Sequence, residues 1–203
     1  MFYHAADREK QPSARVSMTL FRVSQSVKKI TQMESDAVGL SPVQVHALLF
    51  AGQTREDMAT VGHFARAIGA SHVTAVKIVN GLVVKGLLDK LQHPGDRRST
   101  IIHLTAAGMQ QMEALERWGE SLERTIASLP PEVLNMLELG LGAVISALQR
   151  EGYLTVAEPC RGCVNFRPNT GSDDKPHYCT ALQNYLSHEA SLKECPEHQS
   201  SID

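Results

Sequence analysis

From Thr60 to Gly108 the chain places its apolar residues first at helical spacing and then in two short alternating runs, and few folds accept that order. Val61, Phe64, Ala65 and Ile68 share one face of a helix. Gly69 then supplies the backbone freedom that a sharp helix–helix turn requires. Ser71 is placed to cap a second helix running to about Val84. Ala75, Ile78, Val79 and Leu82 form its inward stripe, leaving Val73, Val76, Lys77 and Asn80 outward. Gly86 is a fitting residue just past its end. Leu87 to Leu91 reads as a strand, His93 to Asp96 as a turn, and Thr100 to Leu104 as the returning strand. Helix, turn, helix and hairpin in this order make a winged helix-turn-helix.

The flanks are helical. Residues 1–16 are polar, interrupted by Pro12, and are expected to be a flexible N-terminus. Leu20, Val23, Val27 and Ile30 predict an amphipathic helix from about Ser17 to Asp36, and Ser41-Pro42 starts another. A long helix is expected from Thr105 to Leu129, where Pro130-Pro131 ends it and opens a last one to Arg150. The outer helices are too apolar to be satisfied by one small winged core. They either fold back on it or pair with a second copy. A net charge of −2 excludes a generally basic nucleic-acid coat, so any DNA contact must be local. The N-terminus lacks an apolar signal region, and no apolar run looks long enough to cross a bilayer, so no membrane is expected and the chain reads as cytoplasmic.

The hairpin tip Asp96-Arg97-Arg98, followed by Leu104-Thr105-Ala106-Ala107-Gly108, resembles the D-x-R … L-T-x-x-G signature of the MarR family of regulators. Ser71, Thr74, Lys77, Gly86 and Leu87 also stand where that family's S-x-x-T … R … GL pattern would put them. The likeness spans roughly residues 17–150 and implies a mainly α fold with a small β-wing, dimerised through its terminal helices. It also implies a sequence-specific, homodimeric regulator on a pseudo-palindromic double-stranded operator. The expected DNA contacts are Ser71, His72, Val73, Thr74, Val76, Lys77 and Asn80 on the second helix. On the wing they are Arg97 and Arg98, with Asp96 orienting an arginine as the resemblance implies. Val73 and Val76 depart from the polar residues usual there, so base reading would lean on methyl contacts. No small-molecule effector is evident.

The tail, residues 155–203, lies outside that pattern. It holds all four cysteines, Cys160, Cys163, Cys179 and Cys195, spaced C-x2-C-x15-C-x15-C. Cys-x-x-Cys sets two thiolates on one tight turn, and clustered cysteines in a reducing cytosol point to metal before disulfide. A segment this short and poor in large apolar residues needs such a staple. Zinc usually takes two C-x2-C knuckles, whereas here the third and fourth cysteines come singly. The spread, the Cys195-Pro196 step and the nearby aromatics favour an iron–sulfur cluster that senses redox or iron state, with 4Fe–4S as the expected form and Zn2+ as the alternative. His177 and His198 are the histidines able to replace a cysteine. Because the tail follows the last helix, ordering it is expected to alter the spacing of two paired recognition helices. No nucleophile elbow, phosphate loop, zinc-protease or dinucleotide motif is present, so no enzyme is expected. Two alternatives remain open: the same regulator with a purely structural zinc, and a non-DNA winged protein whose tail transfers electrons.

Overall fold

Val45, Leu48, Phe64, Val79, Leu82 and Leu88 have no exposed surface at all, and the winged core forms around them. Each such side chain contributes roughly 1.5–3 kcal/mol on burial. The computed structural model describes residues 1–200; positions 201–203 of the tail lie outside the described residues. The elements are α1 (Ala5–Lys10), α2 (Pro12–Ala37), α3 (Pro42–Gln53), a 3-10 turn (Glu56–Met58), α4 (Val61–Ala67) and α5 (His72–Val84). They continue with β1 (Leu88–His93), β2 (Asp96–Leu104), α6 (Ala106–Ala114), α7 (Glu120–Ala127) and α8 (Pro131–Arg150). The tail adds β3 (Phe166–Arg167), β4 (His177–Cys179), β5 (Asn184–Leu186) and α9 (His188–Leu192). The chain is thus mainly helical with a small β-wing, as its periodicity predicts.

Local chemistry sets the elements around the core. Ser41 and Gln44 form a reciprocal capping box at the start of α3. The wing is an antiparallel pair running from Leu88 opposite Leu104 to His93 opposite Asp96. Its strands reach farther than the apolar alternation alone indicates, and the turn shrinks to Pro94-Gly95. Thr105 joins wing to α6: its hydroxyl donates to the Gly86 carbonyl at 2.6 Å and accepts from the Gly108 amide at 2.9 Å. Gly108 must lack a side chain, because a Cβ there would sit 2.1 Å from the Leu87 carbonyl oxygen.

Four expectations change. Residues 5–10 are helical and α2 begins at Pro12, five residues before the anticipated start, so 1–16 is not a featureless segment. The helix expected over 105–129 is broken at 115–119, where Gly119 takes φ +92° and the chain restarts as α7. Within the tail, strands β3, β4 and β5 form a small antiparallel sheet that spacing does not announce. Finally, α8 is long and apolar enough to cross a membrane by length and composition, with a mean hydropathy of 1.3. None of its residues is buried within the chain.

Candidate nucleic-acid interface and cysteine chamber

The chain bends by 112° between α4 and α5, which sets α5 as the outer helix of the pair. Thr60 caps α4 by accepting from the His63 amide, and Ser71 caps α5 by accepting from the Thr74 amide at 3.2 Å. Ser71 and Thr74 also share a hydroxyl contact at 2.9 Å, so both stand at the exposed first turn of α5. His72, Val73, Lys77 and Asn80 are exposed along the same helix, Val73 with 65% of its surface free. Val76 differs from expectation. It is half-buried against the core, because α5 is packed more deeply than an ideal outward face allows. Asn80 accepts from the Lys90 ammonium at 2.8 Å, a tie from β1 that leaves the amide nitrogen available.

At the wing tip Asp96 acts on backbone more than on side chains. Its carboxylate accepts from the Arg98 amide at 3.0 Å and the Ser99 hydroxyl at 2.8 Å. Those bonds, the Arg98 amide first, hold its carboxyl below the usual carboxylate range. The Arg98 side chain reaches it only at 3.5 Å and stays 94% exposed. Asp96 therefore fixes the turn and touches Arg98 weakly. Arg97 projects without that tie.

The tail builds a second site. Cys160 and Cys163 share one turn, with the Cys163 amide donating to the Cys160 carbonyl at 3.1 Å. Cys195 is drawn alongside by its amide bond to the Glu158 carbonyl at 2.9 Å. Cys179 ends β4, opposite Phe166 on β3. All four cysteines line one small pocket, together with Arg55, Phe166 and His198 among others. Cys160, Cys179 and Cys195 are buried, Cys163 is half-buried, and none is in a disulfide. Among the described residues no three His, Cys, Asp or Glu side chains converge tightly enough to grip a single ion. A tetrahedral zinc would draw its sulfurs to about 3.8 Å from one another, given Zn–S bonds of about 2.3 Å. Burial pushes the Cys160 and Cys195 thiols up, and the nearby Arg55 guanidinium offsets part of that rise.

Two features of this chamber escape sequence reasoning. Arg55 enters from the loop after α3, with 2% of its surface exposed. Its Nε donates to Asp57 at 2.6 Å and its Nη1 lies 3.8 Å from the Cys160 sulfur. In the sequence it sits in a polar run that reads as a solvated loop. The second is where the tail docks. The Arg55 amide donates to the Glu194 carbonyl at 2.9 Å, and the Glu194 amide returns to Gln53 at 3.0 Å. Glu197 accepts from Arg66 of α4 at 2.7 Å and faces His63 Nε2 at 3.1 Å. The tail thus seats on the helix-turn-helix itself. Of the two histidines, His198 lines the chamber, whereas His177 pairs with His188 at 3.2 Å and is not among the residues that line it.

Residues 38–99 match the sequence model of the MarR family. The fold recurs in a MarR-family transcriptional regulator from Rhodococcus sp. RHA1, 22% identical, with a TM-score of 0.56 over 66% of this chain and 95% of that one. It recurs in the MepR–DNA complex of S. aureus, 22% identical, with a TM-score of 0.59 over 65% of this chain and 97% of that one. CouR from Rhodococcus jostii RHA1, bound to p-coumaroyl-CoA, is 23% identical with a TM-score of 0.57, over 73% and 99% of the two chains. No curated protein sequence matches the chain. Residues 38–99 thus resemble the MarR family in sequence, and about two-thirds of the chain shares the fold of these solved structures.

Proposed function

We propose that the chain is a sequence-specific transcriptional regulator, not an enzyme, that binds double-stranded DNA as a homodimer in the cytoplasm. The observation that carries this reading is the exposed first turn and outer face of α5, capped by Ser71 and flanked by a wing that projects Arg97. Its family match over residues 38–99 supports the same reading. Dimerisation is supported by α8, which exposes Met136, Leu139 and Leu141 among other large apolar residues, and by the apolar residues that α2 leaves uncovered. A two-fold copy covers both, and two recognition helices then address half-sites about one helical turn apart. Glu138, in the middle of α8, favours a protein partner over lipid, where a charge at mid-depth is costly. Selection from random duplexes tests the reading. Enrichment of a pseudo-palindrome is expected, and no enrichment over bulk DNA would sink it.

The same proposal assigns the chamber to a metal centre held by Cys160, Cys163, Cys179 and Cys195, an iron–sulfur cluster in preference to zinc. Support comes from four cysteines that line one pocket with Phe166 and Leu182, no three of which, among the described residues, are grouped for a single ion. Among the described residues the tail's own core is Cys160, Cys179, Leu186, Cys195 and a few half-buried neighbours, too little to hold the segment unaided. When bound, such a cluster supplies a one-electron redox couple. Anaerobic purification followed by iron, sulfide and zinc analysis decides the metal. Iron with sulfide and a visible absorption band is expected, and stoichiometric zinc would reduce the centre to a brace.

A further inference from the structure

Arg55 is the member of the chamber that does not come from the tail. Its guanidinium is buried, with one partner carboxylate, Asp57, that is itself a third exposed. Among the described residues its Nη2 is fully buried and has no partner, and His198 Nε2, on the lining of the same cavity, is buried and unpartnered too. Buried donors without acceptors are rare and costly, a charged one most of all. A buried guanidinium donor without an acceptor, beside an unpartnered imidazole nitrogen on the same cysteine-lined cavity, points to an anionic occupant. Four thiolates outweigh the charge of a zinc ion or of an iron–sulfur core, so the loaded centre is an anion of the kind these groups fit.

We propose that Arg55 donates through its free Nη2 to sulfur of the loaded centre, so that filling the chamber fixes the loop that opens the helix-turn-helix. The inference rests on the metal-centre reading above. Its route differs from a change in dimer spacing. Arg55 stands between Gln53, which ends α3, and the 3-10 turn that leads into α4. Its backbone is stitched to Glu194 beside Cys195, while Glu197 holds Arg66 and His63 of α4. With the chamber filled, side chain and backbone of Arg55 are both satisfied and α4 is held for α5 to pivot upon. With the metal removed, the guanidinium keeps Asp57 and a long contact to the Cys160 sulfur while Nη2 stays unmet, and the loop gains by opening toward water. The loaded protein is therefore the DNA-binding form.

The test uses full-length wild type, Arg55→Met and Arg55→Lys, purified without oxygen and measured before and after stripping with a chelator. Wild type is expected to lose at least about tenfold in operator affinity on stripping. Arg55→Met removes the charge that the empty chamber leaves unmet, so it should retain metal while its two affinities fall within about twofold of each other. Where the metal is iron, its midpoint potential should move to more negative values, because a positive charge beside the cluster stabilises the reduced state. A residue that merely packed would leave the potential in place. Should Arg55→Met not fold, Arg55→Lys keeps the charge without the fork and must cut the wild-type ratio at least about threefold. Wild type holding neither iron nor zinc overturns the chamber reading and this inference with it. A metal-loaded wild type indifferent to stripping, or an Arg55→Met protein with the wild-type ratio, overturns the inference alone.

Discussion

Arg97 and Arg98 adjoin at the wing tip, yet they carry different constraints. Asp96 holds the Arg98 amide and touches its Nε at 3.5 Å, while among the described residues nothing comparable restrains the Arg97 side chain. Arg97→Ala should therefore cost about 1–3 kcal/mol of DNA affinity per half-site and leave the melting temperature unchanged, since both arginines are exposed. Gel shifts paired with thermal melts check this, and wild-type affinity in the Arg97→Ala/Arg98→Ala double variant would remove the wing from the interface. Residues whose roles are local are legible in the sequence. Ser71 and Thr105 cap the helices they precede, because a cap is decided within three residues. Val76 is only half legible, because helical spacing gives a face and not how deep that face is packed. Arg55 is not legible at all: its partner Cys160 lies 105 positions away, and no local pattern separates a buried arginine from a solvated one.

Among the elements, the break between α6 and α7 teaches the most. Leu115, Trp118 and Leu122 continue a helical period, so periodicity alone predicts one helix. The structure interrupts it at Gly119, and the carboxylate of Glu34 on α2 accepts from the Gly119 amide at 2.6 Å and the Ser121 amide at 3.1 Å. Trp118 swings inward to donate to Ser35 at 3.2 Å and to lie edge-on to His46. A partner 85 positions away thus caps α7, which has no cap of its own. Burial alone would raise the Glu34 carboxyl, but the bonds from Ser121 and Gly119 outweigh it and hold it below its ordinary value. Because the folded value is the lower one, the stabilisation is complete above the unfolded value of about 4.3 and fades as pH falls through the folded one. Glu34→Ala should cost about 1 kcal/mol at pH 7, as the loss of a helix cap does. Urea unfolding at pH 7 and again under acid conditions reads this directly: the gap between variant and wild type should narrow in acid. A gap independent of pH would mean that Glu34 acts through packing alone.

At the scale of the whole molecule, a chain of net charge −2 must bind a polyanion through few cations, and the structure sorts those cations. Arg66 is held by Glu197, Lys85 donates to the Gly39 carbonyl at 3.1 Å, and Lys90 is tied to Asn80. Lys77 and Arg97 carry no such tie among the described residues, and Arg98 is bound only weakly to Asp96. These three stand on α5 and the wing, the two elements that the proposed DNA-binding face uses. Each phosphate neutralised contributes about −0.9 to the slope of log affinity against log salt, so a dimer engaging these three per protomer should show a slope of about −5. Titrations across a range of potassium chloride measure it. A slope near −10 would mean that Arg66, Lys85 and Lys90 release their partners on binding, and a flat line would exclude nucleic acid as the partner. The tail enters the same measurement. Glu197→Gln weakens the hold on Arg66 without altering a cysteine, and freeing that cation in both protomers should steepen the slope by about 2. An unchanged slope would place Arg66 away from the DNA and leave its contact with Glu197 as a docking contact for the tail only.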